Sequence, residues 1–180
     1  MYLLDTNVVS ELRKAKSRKA DKSVMAWAKQ VQASRLFISV NTVLELETGI
    51  LQIERKDPEQ GKILRTWLEA HVLPAFEGRI VELNTAVVRK CAQLHVPNPR
   101  SDRDAMIAAT ALVYDMTVVT RNTKDFIQTG VALLNPWEFK APKKTKPQKS
   151  GAIYWIESGQ GEVILHRRGD HEMLGGMLAL

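Results

Sequence analysis

The sequence predicts an α/β protein built on a parallel sheet with helices on both faces. Two observations carry that prediction. Over residues 1–139, short apolar β-favouring runs alternate with segments of helical period, which is how strands joined by crossover helices read. The composition, 44% hydrophobic and 26% charged over 180 residues, is that of a globular chain long enough for one sizeable core. It excludes a collagen, a disordered acidic chain and a membrane bundle.

Tyr2-Leu3-Leu4 reads as the first strand, followed by a short helix from Thr6 or Asn7 to about Arg13 and a basic loop to Ala20. Asp21 suits the N-cap of a helix carrying Val24, Met25, Trp27, Ala28 and Val31. Leu36–Val40 is the second strand, and Asn41 or Thr42 is the expected cap of the next helix, with Val43, Leu46, Ile50 and Ile53 on its apolar face. Asp57-Pro58 restarts the helix, because proline fits a first helical turn; Ile63, Leu64, Trp67, Leu68 and Val72 follow at core spacing. Arg79–Leu83 is the third strand, and Asn84 opens a helix to about His95. Val96-Pro97-Asn98-Pro99 must be a loop, since two prolines remove donors and disfavour helix before each. Asp104–Tyr114 is apolar enough for a buried helix, Thr117–Thr120 for a fourth strand and Val131–Leu134 for a fifth.

From Lys140 the character changes. Residues 140–150 carry two prolines and several lysines without hydrophobic period, so a linker is expected there. Beyond it, Ala152–Ile156 and Glu162–His166 flank Ser158-Gly159-Gln160-Gly161 like the strands of a β-hairpin. The expected organisation is therefore a domain over 1–139, a linker over 140–150 and a truncated, hairpin-like, flexible tail over 151–180. Residues 140–180 hold 7 of the 26 basic and 4 of the 20 acidic side chains, so half of the net +6 sits in less than a quarter of the chain. A basic balance hints at a polyanionic partner. A single cysteine, Cys91, leaves no intramolecular disulfide and no four-thiolate zinc or iron–sulfur site. With no secretory leader and no long apolar run, the expected location is the cytoplasm.

Acids recur at the ends of buried elements. Asp5 follows the first strand, Glu45 lies one turn into the helix after the second, and Asp104 opens the apolar helix Asp104–Ala111. If the first and fourth strands are neighbours, the groups at their carboxyl edges converge. Clustered carboxylates repel, and a proton or a hard cation relieves them. Three acids without a histidine favour Mg²⁺ or Mn²⁺ over Zn²⁺. Spacing alone leaves each acid a second reading: Asp5 as an ordinary N-cap, Asp104 as a dipole partner or capping-box residue with Ser101, Glu45 as a solvated helix residue with Glu47 as competitor. His71 and His95 read as structural, and Trp27 and Trp67 sit at core spacing.

Four ordered motifs carry a resemblance to a known family: Met1-Tyr2-Leu3-Leu4-Asp5-Thr6-Asn7-Val8-Val9-Ser10-Glu11, Ile38–Leu46 around Glu45, Asp104–Ala111, and Val118-Val119-Thr120-Arg121-Asn122-Thr123-Lys124-Asp125-Phe126. In order and spacing they resemble the PIN-domain ribonucleases of the VapC toxin type, with the closing Asn135-Pro136-Trp137 similar to the FitB-like subgroup. The resemblance implies a PIN-like three-layer α/β sandwich with a five-stranded parallel sheet in the order 3-2-1-4-5, here with a C-terminal appendage. It implies Mg²⁺- or Mn²⁺-dependent endoribonuclease activity, a cognate antitoxin that reaches DNA in place of the toxin, and a homodimer.

By motif, Asp5, Glu45 and Asp104 match the catalytic acids, with Asp5 and Asp104 as metal ligands. Thr6, Asn7, Thr120 and Asn122 are supporting residues. Many members carry an acid where this chain has Asn122, so Asp102 and Asp125 are candidate replacements. Arg13, Lys14, Arg103 and Arg121 are candidate RNA contacts, with Lys16, Arg18, Lys19 and Arg100 nearby. The rival reading is a non-catalytic PIN-fold partner of a DNA-binding antitoxin in transcriptional regulation. In the tail, Ser150–Trp155, Val163–Arg168 and Leu174–Leu180 resemble the start of the Nudix-like C-terminal domain of adenine DNA glycosylases; nothing else of that enzyme is present, and its activity does not transfer.

Overall fold

The computed structural model describes residues 1–141, 166–167 and 178–179. The chain divides into two units, Met1–Pro142 and Lys143–Leu180. In the first, β1 (Tyr2–Leu4), β2 (Leu36–Ser39), β3 (Ile80–Val81), β4 (Thr117–Val119) and β5 (Leu133–Leu134) form one sheet in the expected order β3-β2-β1-β4-β5. All four pairings are parallel, and Leu4 lies opposite Val119.

The strands are short and mainly apolar because both faces of the sheet are covered. Leu4, Ile38 and Val119 face one core with α1 (Thr6–Arg13), α2 (Lys22–Gln30), α3 (Val40–Lys56) and α4 (Pro58–Trp67), through Val8, Trp27, Leu46, Ile50 and Leu64. Leu3 and Val118, one residue earlier on the same strands, face the opposite core with Met116, Phe126 and Val131. After the short α5 (Leu73–Ala75) and then α6 (Thr85–Leu94), α7 (Asp102–Val113) brings Ile107, Ala108 and Ala111 to that second core. The alternation of neighbouring residues between cores follows from the strand period of two.

The caps show where sequence and structure part. Asp5, Asp21, Asp57 and Asn84 accept from the first backbone N–H groups of α1, α2, α4 and α6, as side chains of this kind do. The cap of α3 is Ser39, not Asn41 or Thr42: its hydroxyl accepts from the Thr42 N–H, so the second strand ends one residue before Val40. That releases the Asn41 and Thr42 side chains for other work. The last helix begins at Asp102 rather than Asp104, which puts Asp104 in its first turn. A π-helical turn, Leu68–Val72, separates α4 from α5, where Pro74 has no N–H to continue the ladder.

In the second unit, His166–Arg167 (β6) pairs antiparallel with Leu178–Ala179 (β7). The expected hairpin strand 152–156, its turn 158–161 and the linker residues 142–150 lie outside the described residues. Among the described residues no helix is long and apolar enough to cross a membrane.

Candidate active site

The site is built at the carboxyl ends of β1 and β4. Because Leu4 pairs with Val119, the next residues of the two strands, Asp5 and Thr120, emerge side by side, and the Asp5 N–H donates to the Val119 carbonyl at 3.0 Å. The Thr120 hydroxyl donates to Asp5 Oδ2 at 2.6 Å. Asn7 Nδ2 donates to the same oxygen at 2.6 Å and to Thr120 Oγ1 at 3.0 Å, while the Thr6 N–H donates to Asp5 Oδ1 at 2.7 Å. Asp5 is thus both the N-cap of α1 and a buried carboxylate, 7% exposed, whose orientation is fixed by three donors. Two further bonds hold the loop after β4: the Arg121 N–H donates to Asn7 Oδ1 at 3.2 Å and the Asn122 N–H to Thr120 Oγ1 at 3.0 Å.

Helix α3 supplies the second acid. The Thr6 hydroxyl donates to Glu45 Oε2, which links the α1 end of the site to α3. The Thr42 hydroxyl donates to the Leu4 carbonyl at 3.3 Å and Asn41 Nδ2 to the Arg103 carbonyl at 3.2 Å, so the start of α3 is tied both to β1 and to the first turn of α7. That turn carries Asp104. Glu47, the competitor of Glu45, faces away and pairs with Arg65.

Burial pushes the Asp5 carboxyl above its ordinary value; the Thr120 and Thr6 bonds oppose this, and the charges of Glu45 and Asp104 add to it. The Asp104 carboxyl is also raised, first by burial and then by the charge of Asp125, with the Ser101 hydroxyl opposing. Asp125 in turn accepts from the Asn122 side chain. The charges of both Glu45 and Asp104 thus reach Asp5, and Asn122, where an acid was absent, is bonded to one. Asp102 does not join them: its side chain, 83% exposed, lies 3.5 Å from His95 Nε2. No ion pair neutralises Asp5, Glu45, Asp104 or Asp125 among the described residues.

Such a donor set, carboxylates and hydroxyls without imidazole or thiolate, suits a hard divalent cation. Among the described residues no three acidic, histidine or cysteine side chains close on one point as a ready cage. That is compatible with Mg²⁺, which commonly takes one or two carboxylates and keeps waters on its other positions.

The candidate RNA contacts are dispersed. The Arg13 guanidinium stacks over Trp67 at 5.7 Å, Lys14 pairs with Glu11 at 2.7 Å, and Arg121 stacks over Trp137 at 5.5 Å. Arg103 contributes its carbonyl to Asn41, with its own side chain exposed. Asn41 and Thr42 position the site, yet their sequence signal was only that of competing helix caps, and Ser39 read as part of the second strand; which carbonyls Asn41 and Thr42 reach is a tertiary matter.

Comparison with known proteins matches residues 2–131 to the PIN domain family. The chain is 36% identical over 143 residues to VapC ribonuclease Y4jK of Sinorhizobium fredii and 34% identical over 143 residues to toxin FitB of Neisseria gonorrhoeae, covering 77% and 76% of this chain and 99% of each relative. The crystal structure of FitAcB from Neisseria gonorrhoeae superposes with a TM-score of 0.70 at 33% identity, over 77% of this chain and all of the other. PIN-domain ribonucleases generally depend on a divalent metal ion. With the sheet order, the acids at the strand ends and these matches in agreement, the chain belongs to the PIN-domain family.

Proposed function

We propose that this chain is a Mg²⁺- or Mn²⁺-dependent endoribonuclease, the toxin of a toxin–antitoxin pair, which hydrolyses RNA phosphodiester bonds. The observation that carries the reading is geometric: three donors fix the buried Asp5 carboxylate at the end of β1, Thr6 ties Glu45 of α3 to the same place, and no cation of the protein's own among the described residues pairs with Asp5, Glu45 or Asp104. In this reading Asp5 and Asp104 hold the metal ion, and Glu45 completes the catalytic set. A hard divalent ion bound there lowers the pKa of a water and stabilises charge on a phosphoryl oxygen. Thr120, Asn7 and the Thr6 N–H fix the Asp5 carboxylate, so it meets its ligand without reorganising. Glu45, oriented by the Thr6 hydroxyl, accepts a water proton as the nucleophile forms. Asn122 donates to Asp125, whose charge acts on Asp104, so Asp125 is the candidate for the acid that the family resemblance leads one to expect at position 122.

The test is cleavage of a panel of single-stranded and structured RNAs by the purified chain with Mg²⁺, Mn²⁺ or EDTA. Full activity in EDTA would end the metal reading. A second reading has support in a solved relative: the structure of FitAB bound to the IR36 DNA fragment matches with a TM-score of 0.69 at 32% identity. In that reading the chain is a non-catalytic partner of a DNA-binding antitoxin. An RNA panel left intact under every metal, with promoter DNA bound only when the antitoxin is present, would favour it.

For either reading we infer a cytoplasmic homodimer held by a cognate antitoxin, to be checked by sedimentation of the co-expressed pair. Residues 140–150 are proposed as the boundary between the 1–139 domain and the 151–180 appendage; limited proteolysis that yields no stable fragment ending near residue 139 would overturn that.

A further inference from the structure

An open cleft of about 420 Å³ adjoins the acidic cluster on the Asp104 side, with Asn98, Arg100, Asp104, Lys124, Asp125 and Gln128 in its walls. The arginines near the site differ in how they are held. Arg13 and Arg121 lie on tryptophans, and Arg103, in the turn that carries Asp104, has an exposed side chain with no anchoring bond among the described residues. Arg100 differs. Its Nε donates to the Leu94 carbonyl at 2.7 Å, and its backbone N–H donates to His95 Nδ1 at 3.5 Å. His95 is held in turn, with Nε2 3.5 Å from Asp102 and 3.9 Å from Cys91 Sγ. The root of this half-buried side chain is fixed at two points, while neither terminal nitrogen has a partner among the described residues. An anchored guanidinium with its two-nitrogen fork unspent is the arrangement that binds a phosphate group in bidentate fashion with little loss of side-chain freedom.

The opposite wall adds a second cation. Lys124 is exposed and has no ion-pair partner among the described residues, and it stands in sequence between Asn122 and Asp125. The amides of Asn98 and Gln128 carry donors and acceptors of the type that read base edges. The cleft therefore sets positive charge and amides directly beside carboxylates. A small free anion gains little here, because Asp104 and Asp125 repel it; a strand that continues past the acids can place its next phosphate on the cations.

We propose that this cleft seats the nucleotide next to the scissile bond, with Arg100 as its phosphate clamp, Lys124 as a supporting charge, and Asn98 and Gln128 as the groups that discriminate its base. The inference rests on the nuclease reading for the scissile position, and it assigns to His95 and Asp102 the role of positioning Arg100.

The experiment is fluorescence anisotropy of short labelled single-stranded oligoribonucleotides with the full chain in EDTA, so that binding is read apart from cleavage. Arg100→Ala should weaken binding about tenfold or more, and the slope of log K against log salt should fall by about 0.7. Arg100→Lys should recover little of it, since an ammonium offers no fork. Lys124→Ala should cost less, and Lys62→Ala, on the exposed side of α4, should change nothing. Asn98→Ala and Gln128→Ala should alter the ranking of A, C, G and U probes more than the mean affinity. Arg100→Gln, checked by circular dichroism, serves if the alanine variant misfolds.

Unchanged affinity and salt slope in both Arg100→Ala and Arg100→Gln overturn the clamp, as does an equal loss in Lys62→Ala or failure of the parent chain to bind any probe. If Arg100 governs binding but no metal yields cleavage, the clamp stands and the nuclease reading falls. If RNA is cleaved with unchanged KM in Arg100→Ala, the reverse holds.

Discussion

Two groups of acids in this molecule have opposite fates. On the α3–α4 hairpin, Glu47 and Glu54 share Arg65, and the arginine holds the Glu54 carboxyl below its ordinary value. At the ends of β1 and β4, Asp5, Glu45 and Asp104 have no such partner among the described residues, and the carboxyls of Asp5 and Asp104 are raised. The first group is complete within the chain. The second is balanced only by something brought from outside, a proton or a cation. The contrast separates the acids that serve the fold from those that serve chemistry better than residue type or spacing does.

The largest effect expected from breaking this contrast is on cleavage. Asp5→Asn or Asp104→Asn should reduce RNA hydrolysis at least ~100-fold while the far-UV circular dichroism spectrum is kept. Wild-type rates in either purified variant would remove the acids from the mechanism.

Next in size is a change that attacks only the hairpin. A Cβ on Gly61 would stand 2.6 Å from the Glu54 Cα, on backbone that cannot yield cheaply. Gly61→Ala should therefore destabilise the chain by about 1–3 kcal/mol through overpacking, against the gain of about 1 kcal/mol that alanine brings to a helix interior. Thermal melts would show it as a fall in Tm, with RNA cleavage per folded molecule preserved. A higher Tm would mean that α3 and α4 separate freely there.

The pH dependence sharpens the comparison. Asp5 and Asp104 bind protons more tightly folded than unfolded, so their contribution to stability is greatest at low pH. It falls as pH rises from the ordinary aspartate value of 3.8 through the raised one. Glu54 has the opposite sign: its contribution is present above its ordinary value of 4.5 and is lost as pH falls through the lowered one. Asp104→Asn should flatten the first slope, and added Mg²⁺ should raise Tm at pH 7 in the parent more than in Asp104→Asn. Equal Mg²⁺ shifts in both would argue against Asp104 as a ligand. Smallest of all, Arg65→Ala should lower Tm slightly at low salt and less at high salt, because these partly exposed pairs are screened.

Much of the fold was legible because its cause is local. The strand at Tyr2–Leu4 is apolar on both faces, Asp21, Asp57 and Asn84 are side chains that cap helices, and Pro58 suits a first turn; each expectation used only neighbours in sequence. The misplacements have equally physical causes. Ser39, Asn41 and Thr42 all cap helices well, so composition could not choose among them; the choice fell to Ser39 because Thr42 is drawn to the Leu4 carbonyl and Asn41 to Arg103. The π turn at Leu68–Val72 and the close approach at Gly61 arise from packing between segments.

For the site, the sequence by itself determined which acids sit at element ends and which family motifs the chain carries. Only the tertiary structure decided which acids keep company. It paired Glu47 with Arg65 and left Glu45 to Thr6, turned Asp102 to His95, and bonded Asn122 to Asp125. The reason is range: capping and strand burial act over a few residues, whereas the state of a carboxylate depends on every charge within several ångströms, and strand order and helix packing bring those charges there from distant sequence.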